Sequence, residues 1–137
     1  SWAQDVREGR FQTQMGLAAA ISAFFSGFEA FYSHYKSNFR YKAQWTPVLV
    51  APMLMLAGAG TVKSSRIAHT VLPVVSAVAI VDGAVGFGYH ARGVLRRPGG
   101  LKKPLYNIIY GPPLFAPLLF AASGLLGLLA SLLRREK

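Results

Sequence analysis

The sequence has no cysteine. Disulfides, thiolate catalysis, iron–sulfur ligation and covalently attached haem are therefore excluded for this chain. Polar sequence is scarce as well. Only 15% of residues are charged, against 53% hydrophobic, and mean hydropathy is +0.35. The charges cluster between long apolar runs, which is a membrane pattern. Several chemical signatures are missing: there is no Gly-x-Ser-x-Gly, no His-Glu-x-x-His and no zinc-type ligand spacing. Gly83–Gly88 lies inside an apolar run with no Gly-Lys-Ser/Thr after it, so it is not a phosphate loop.

What is there is basic. Fifteen Lys and Arg against five Asp and Glu give a net charge of +10. In a soluble protein that balance suggests nucleic acid. Here the cations flank apolar runs, no basic stripe lies outside the loops, and the expected partners are anionic lipid headgroups rather than nucleic acid. Arg7 and Arg10 precede an apolar run too long for the h-region of a signal peptide, so that run reads as a span. A length of 137 residues allows one domain, a single transmembrane domain over 1–137.

Four apolar helices are expected. The first runs from about Met15 to Tyr35 and ends in aromatics suited to a headgroup interface. The second runs from about Pro47 to Val62, with Pro47 in the first turn and Pro52 one turn deeper, where it should kink or loosen the helix. It is short for a bilayer core of about 30 Å, so either it begins earlier or the local bilayer is thin. The third runs from about Ile67 to Tyr89, with Gly83 and Gly86 on one face, where small residues allow close helix approach. The fourth runs from about Leu114 to Leu133 and stops at Arg134-Arg135. The loop from Arg92 to Tyr110 reads as a solvated turn followed by an interfacial stretch.

The second pair of helices repeats the first. Pro47, Leu49, Ala51, Pro52, Leu54 and Ala57 fall on Pro112, Leu114, Ala116, Pro117, Leu119 and Ala122 without a gap. In the preceding helices Gly27, Phe31, His34 and Lys36 fall on Gly83, Phe87, His90 and Arg92. The expected fold is therefore all-α integral membrane, two parallel-related helical-hairpin repeats over about 15–62 and 67–133. A two-span unit re-enters in the same direction, so the copies are related about the membrane normal.

An even number of spans puts both termini on one side, here side A, with Lys63 and Arg66. Both long loops lie on side B. Side A carries seven Lys and Arg and side B eight, so the positive-inside rule assigns no orientation.

Ionisable residues within spans suggest function. His34 and His90 end the first and third spans at equivalent places, as a non-covalent b-type haem needs of two imidazole ligands. Nearby glycines would make room for the macrocycle, and Lys36, Arg40 and Arg92 would meet propionates or lipid headgroups. Both imidazoles equally suit interfacial anchors. Glu29 and Asp82 lie roughly 7.5 and 12 Å deeper than those histidines along their helices. They are candidates for a stepped proton or quinone site facing the bundle interior or a partner subunit, and equally for structural hydrogen bonding. His69, at the side-A start of the third span, is the one histidine available to a cofactor there and otherwise an interfacial residue.

Four spans with His near one surface resembles the membrane anchors of quinone-linked dehydrogenases in layout alone. The expectation is a small subunit of an electron-transfer or quinone-linked complex, in an energy-transducing or bacterial inner membrane, with haem, quinone and bound lipid as candidate ligands and other subunits as partners. The alternatives are a non-catalytic assembly subunit and a small oligomeric transporter, the latter suggested by its prolines.

Overall fold

The computed structural model describes residues 1–133; Arg134, Arg135, Glu136 and Lys137, including the expected arginine stop, lie outside the described residues. The described chain is helical with no strand. Its elements are α1 (Trp2–Glu8), α2 (Arg10–Lys36), α3 (Thr46–Gly60), α4 (Ser65–His69), α5 (Val71–Leu95), α6 (Pro104–Tyr110) and α7 (Phe115–Leu132). Four helical stretches are long and apolar enough to cross a membrane: Arg10–Lys36, Lys42–Gly60, Val71–Leu95 and Phe115–Leu132.

Boundaries follow local chemistry. The second stretch is longer than its sequence suggests, because a 3-10 turn over Lys42–Trp45 leads directly into α3. Pro47 occupies the first turn, and the helix continues through Pro52. The third stretch is broken where one run was expected. Ser64 caps α4, its hydroxyl accepting from the Ile67 N–H, and the helix is interrupted at Thr70, whose backbone is distorted to φ −116° and ψ −69°. Pro73 explains the break: it has no N–H for the His69 carbonyl, and its ring would clash there. Helix α5 restarts at Val71 and runs to Leu95, so His90 sits more than a turn inside its helix rather than at the end. Before α7, Gly111 is extended and Pro112-Pro113 delay the helix to Phe115.

The four long helices form a ring. Helix α2 packs against α3 and α7, and α5 packs against the same two. Helices α2 and α5 occupy the diagonal, with no Cα pair within 8 Å.

The core is built from small residues. Ala19, Ala23, Ala51, Ala57, Ala79 and Ala130 are buried, with Leu54, Leu72, Val75 and Phe120 filling between them. Large side chains point outward, Leu56 being 76% exposed and Phe25 66%. A water-soluble bundle buries such residues first, so the pattern matches packing in an apolar solvent. Glycines set the spacing. A Cβ on Gly16 would lie 2.5 Å from Oγ1 of Thr61, the residue that follows α3. On Gly83 it would lie 2.5 Å from the Pro117 carbonyl oxygen and 2.7 Å from the Ala121 nitrogen of α7.

Gly83→Ala is therefore expected to lower stability by about 1–3 kcal/mol, since backbone must move to admit the methyl. Gly88, on the same helix, faces open space. Gly88→Ala should be neutral or stabilising by up to about 1 kcal/mol, through helix propensity. Thermal unfolding of both variants in detergent, followed by circular dichroism, checks the contrast.

Candidate functional site

On side B, helix α2 ends in a turn held by two non-glycine residues in the left-handed region, Asn38 (φ 57°) and Phe39 (φ 47°). The Phe39 N–H donates to the His34 carbonyl at 2.8 Å, closing the helix end. This turn swings the Phe39 ring onto Trp45, centroids 3.8 Å apart and stacked, with the His34 ring edge-on to it at 6.0 Å. Left-handed geometry costs roughly 1–2 kcal/mol per residue, and aromatic stacking offsets part of it.

Both side-B histidines make the same kind of bond. His34 Nδ1 meets the Gln44 carbonyl oxygen at 2.8 Å, just ahead of α3. His90 Nδ1 meets the Pro113 carbonyl oxygen at 2.5 Å, just ahead of α7. A carbonyl only accepts, so in each case Nδ1 carries the hydrogen and donates. Each imidazole thus ties its own helix to the segment that begins the next.

The other sequence candidates are placed less uniformly. The space beside Gly27 is taken by Ala51 of α3, and that beside Gly83 and Gly86 by α7, so these glycines serve helix packing rather than leaving room for a flat ring. The Lys36 ammonium lies over the Tyr32 ring at 4.8 Å, and the Arg40 guanidinium over Tyr41 at 5.4 Å. Arg92 is exposed on α5. His69 is exposed at the opposite end, its Nδ1 donating to the Ser65 carbonyl at 2.8 Å. No group of three or more His, Asp and Glu able to hold a metal ion occurs among the described residues.

Glu29 and Asp82 do not form a stepped pair. They sit on the diagonal helices α2 and α5, which have no Cα pair within 8 Å. Glu29 is on the outer face of α2, accepting a 2.6 Å bond from the Ser33 hydroxyl one turn on. Asp82 is half-buried where α3 meets α5, its Oδ1 2.6 Å from Thr46 Oγ1. Thr46 Oγ1 is also 2.8 Å from the Ala43 carbonyl oxygen, so one hydroxyl hydrogen has two acceptors in reach. Around the pair runs a shallow apolar groove of ≈ 470 Å³ lined by Val50, Ala77, Val78, Val81 and Val85.

Sequence reasoning missed Thr46, whose only signal is its place at the helix start, and Asn107. Asn107 is fully buried, and its Nδ2 donates to the Pro98 and Gly100 carbonyls at 3.3 and 2.9 Å. A lone asparagine among Leu105, Tyr106, Ile108 and Ile109 carries no motif in sequence; only the fold of the preceding turn against α6 gives it two backbone partners. No family model, no curated protein and no solved structure matches the chain.

Thr46→Val removes the hydroxyl shared by Asp82 and Ala43. It should destabilise the protein by about 1–3 kcal/mol, the cost of leaving a partly buried acceptor unmet. Asp82→Asn keeps an acceptor oxygen for Thr46 and should cost less than Thr46→Val. Parallel thermal melts of the two variants measure the difference.

Proposed function

We propose that the chain is a small integral membrane subunit working inside a larger membrane complex of the electron-transfer or quinone-linked kind. The observation that carries this reading is Glu29. It stands on the outer face of α2 among exposed Phe25, Phe28 and Tyr32, seven residues, or roughly 10 Å, inside the Lys36 end of its helix. A carboxylate facing acyl chains costs up to about 2.5–3.5 kcal/mol even on the gentlest scale. A neighbouring subunit that brings a hydrogen-bond donor to Glu29 removes that cost.

Asp82 supports the quinone-linked form of the reading. Its carboxyl opens into an apolar groove, and Thr46 offers one hydrogen to two acceptors. A quinol hydroxyl in that groove would supply the missing donor, and a carboxyl is the group to pass its proton on.

A second reading adds a b-type haem held by His34 and His90, with Lys36, Arg40 and Arg92 toward its propionates. What supports it is the shared Nδ1 bond. A histidine whose Nδ1–H is tied to a carbonyl presents the Nε2 lone pair, the usual posture of a metal-ligating imidazole. The shared bond also supports treating the two hairpins as parallel repeats.

Native mass measurement of the detergent-extracted protein tests the main reading. The expected particle contains other subunits, and Glu29→Leu should loosen them. A stable particle of this chain alone would favour the small oligomeric transporter. A reduced-minus-oxidised absorption spectrum tests the haem: the expected band should vanish in His34→Ala and in His90→Ala. A colourless preparation leaves both imidazoles as clasps of their connections, as a purely structural subunit would have them.

A further inference from the structure

The loop between α5 and α7 leaves two demands unmet at one place. Arg96, Arg97, Lys102 and Lys103 lie within eight residues of one another, and no Asp or Glu occurs anywhere in residues 83–114. The ion pairs among the described residues are both made by Arg10 at the other end. The same loop and α6 expose large apolar side chains: Leu101 is 77% exposed, Leu105 71% and Ile109 62%. A cover for the cations must be anionic, and a cover for the leucines must be apolar.

The loop is folded, not a loose basic tail. Buried Asn107 holds the Pro98 and Gly100 carbonyls with its Nδ2, and its Oδ1 accepts from Arg97 Nε at 3.4 Å. Arg97 is thereby half-buried and oriented, with the terminal nitrogens of its guanidinium left for another acceptor. Gly99 (φ 88°) and Gly100 (φ 45°) turn the chain so that Lys102 and Lys103 follow directly.

We propose that this loop, residues 96–109, is a binding site for an anionic phospholipid. The phosphate would meet Arg97 and its neighbouring cations, while the acyl chains lie on Leu101, Leu105 and Ile109. The inference rests on the membrane reading above. A second copy of the chain does not fit, because this end of the bundle has no carboxylate in its loops, residues 36–45 and 96–110, to offer the cations. Nucleic acid leaves the exposed leucines uncovered. An amphiphile with a negative head answers both demands, and each basic residue near an anionic membrane surface gains about 1 kcal/mol.

The test reconstitutes the purified protein with mixed phosphatidylglycerol and phosphatidylcholine, re-extracts it in mild detergent, and counts retained lipids by native mass spectrometry. Phosphatidylglycerol should be retained preferentially, and raised salt should release it. Replacing Arg96, Arg97, Lys102 and Lys103 with Gln should weaken retention by roughly five-fold per charge removed. Lys63→Gln with Arg66→Gln, at the far end, should leave it intact. Equal retention of both lipids by the unaltered protein overturns the site, as does retention in the loop variant equal to that of the unaltered protein. An acidic protein subunit found on the loop in place of lipid overturns it too. The salt series needs no variant, so a misfolded loop variant does not rescue the proposal. Failure of the membrane reading would show earlier and differently: the protein would stay dispersed without detergent and would not enter vesicles.

Discussion

The fold depends on helices approaching at glycine, alanine and serine. Gly16, Ala20, Ala23 and Gly27 line the side of α2 that meets α3. Gly124 and Gly127 admit the Ser76 region of α5 against α7, and Gly83 admits the backbone of α7 against α5. Van der Waals contact between close backbones is the attraction left to helices when solvent and side chains are equally apolar. With small residues taking most of the inside, most Leu, Phe and Val side chains lie outside. The same constraint leaves little interior volume, so the groove beside Asp82 opens between helices on the surface and not at the bundle axis.

The two ends of the bundle are held by different means. At the terminal end, buried Gln12 donates to the Val6 and Leu133 carbonyls at 2.8 and 2.5 Å, joining α1, α2 and the end of α7. Arg10 is neutralised there by Asp5 and Glu8. At the loop end, backbone carbonyls are gathered by His34, His90 and Asn107, while Arg97 donates to Asn107, Lys36 and Arg40 lie over tyrosine faces, and Arg96, Lys102 and Lys103 are exposed. The terminal end pairs one of its cations, Arg10, within the chain. The loop end presents Arg96, Lys102 and Lys103 outward, which is why the lipid inference falls on that end.

The functional proposal turns on polar groups placed on apolar surfaces. Glu29 and Asp82 both lie on outward-facing parts of the bundle, on helices with no Cα pair within 8 Å. Each carboxylate has one hydroxyl donor within the chain, Ser33 for Glu29 and Thr46 for Asp82; the proposed outside partners, a subunit at Glu29 and a hydrogen-bonding head at Asp82, would add to these. The histidines differ, because half of each imidazole is already used to hold a connection. A haem between them would use the nitrogen that remains.

Much of the architecture is legible in residue order. Apolar runs separated by charged loops define four helices, since a helix satisfies its own backbone whatever surrounds it. The close-packing role of Gly83 and Gly86 follows from local composition too. Pro73 could have announced the break at Thr70, but a proline near a helix start reads equally as a first-turn residue, and only the chain's return to helix at Val71 decides it. Tertiary structure alone decided who faces whom. The face on which Glu29 lies, the separation of α2 from α5, the Thr46–Asp82 bond and the carbonyls chosen by His34, His90 and Asn107 depend on how helices rotate about their axes. In an apolar run that rotation is set by small residues and not by a polar–apolar stripe, so hydrophobic periodicity carries little of it.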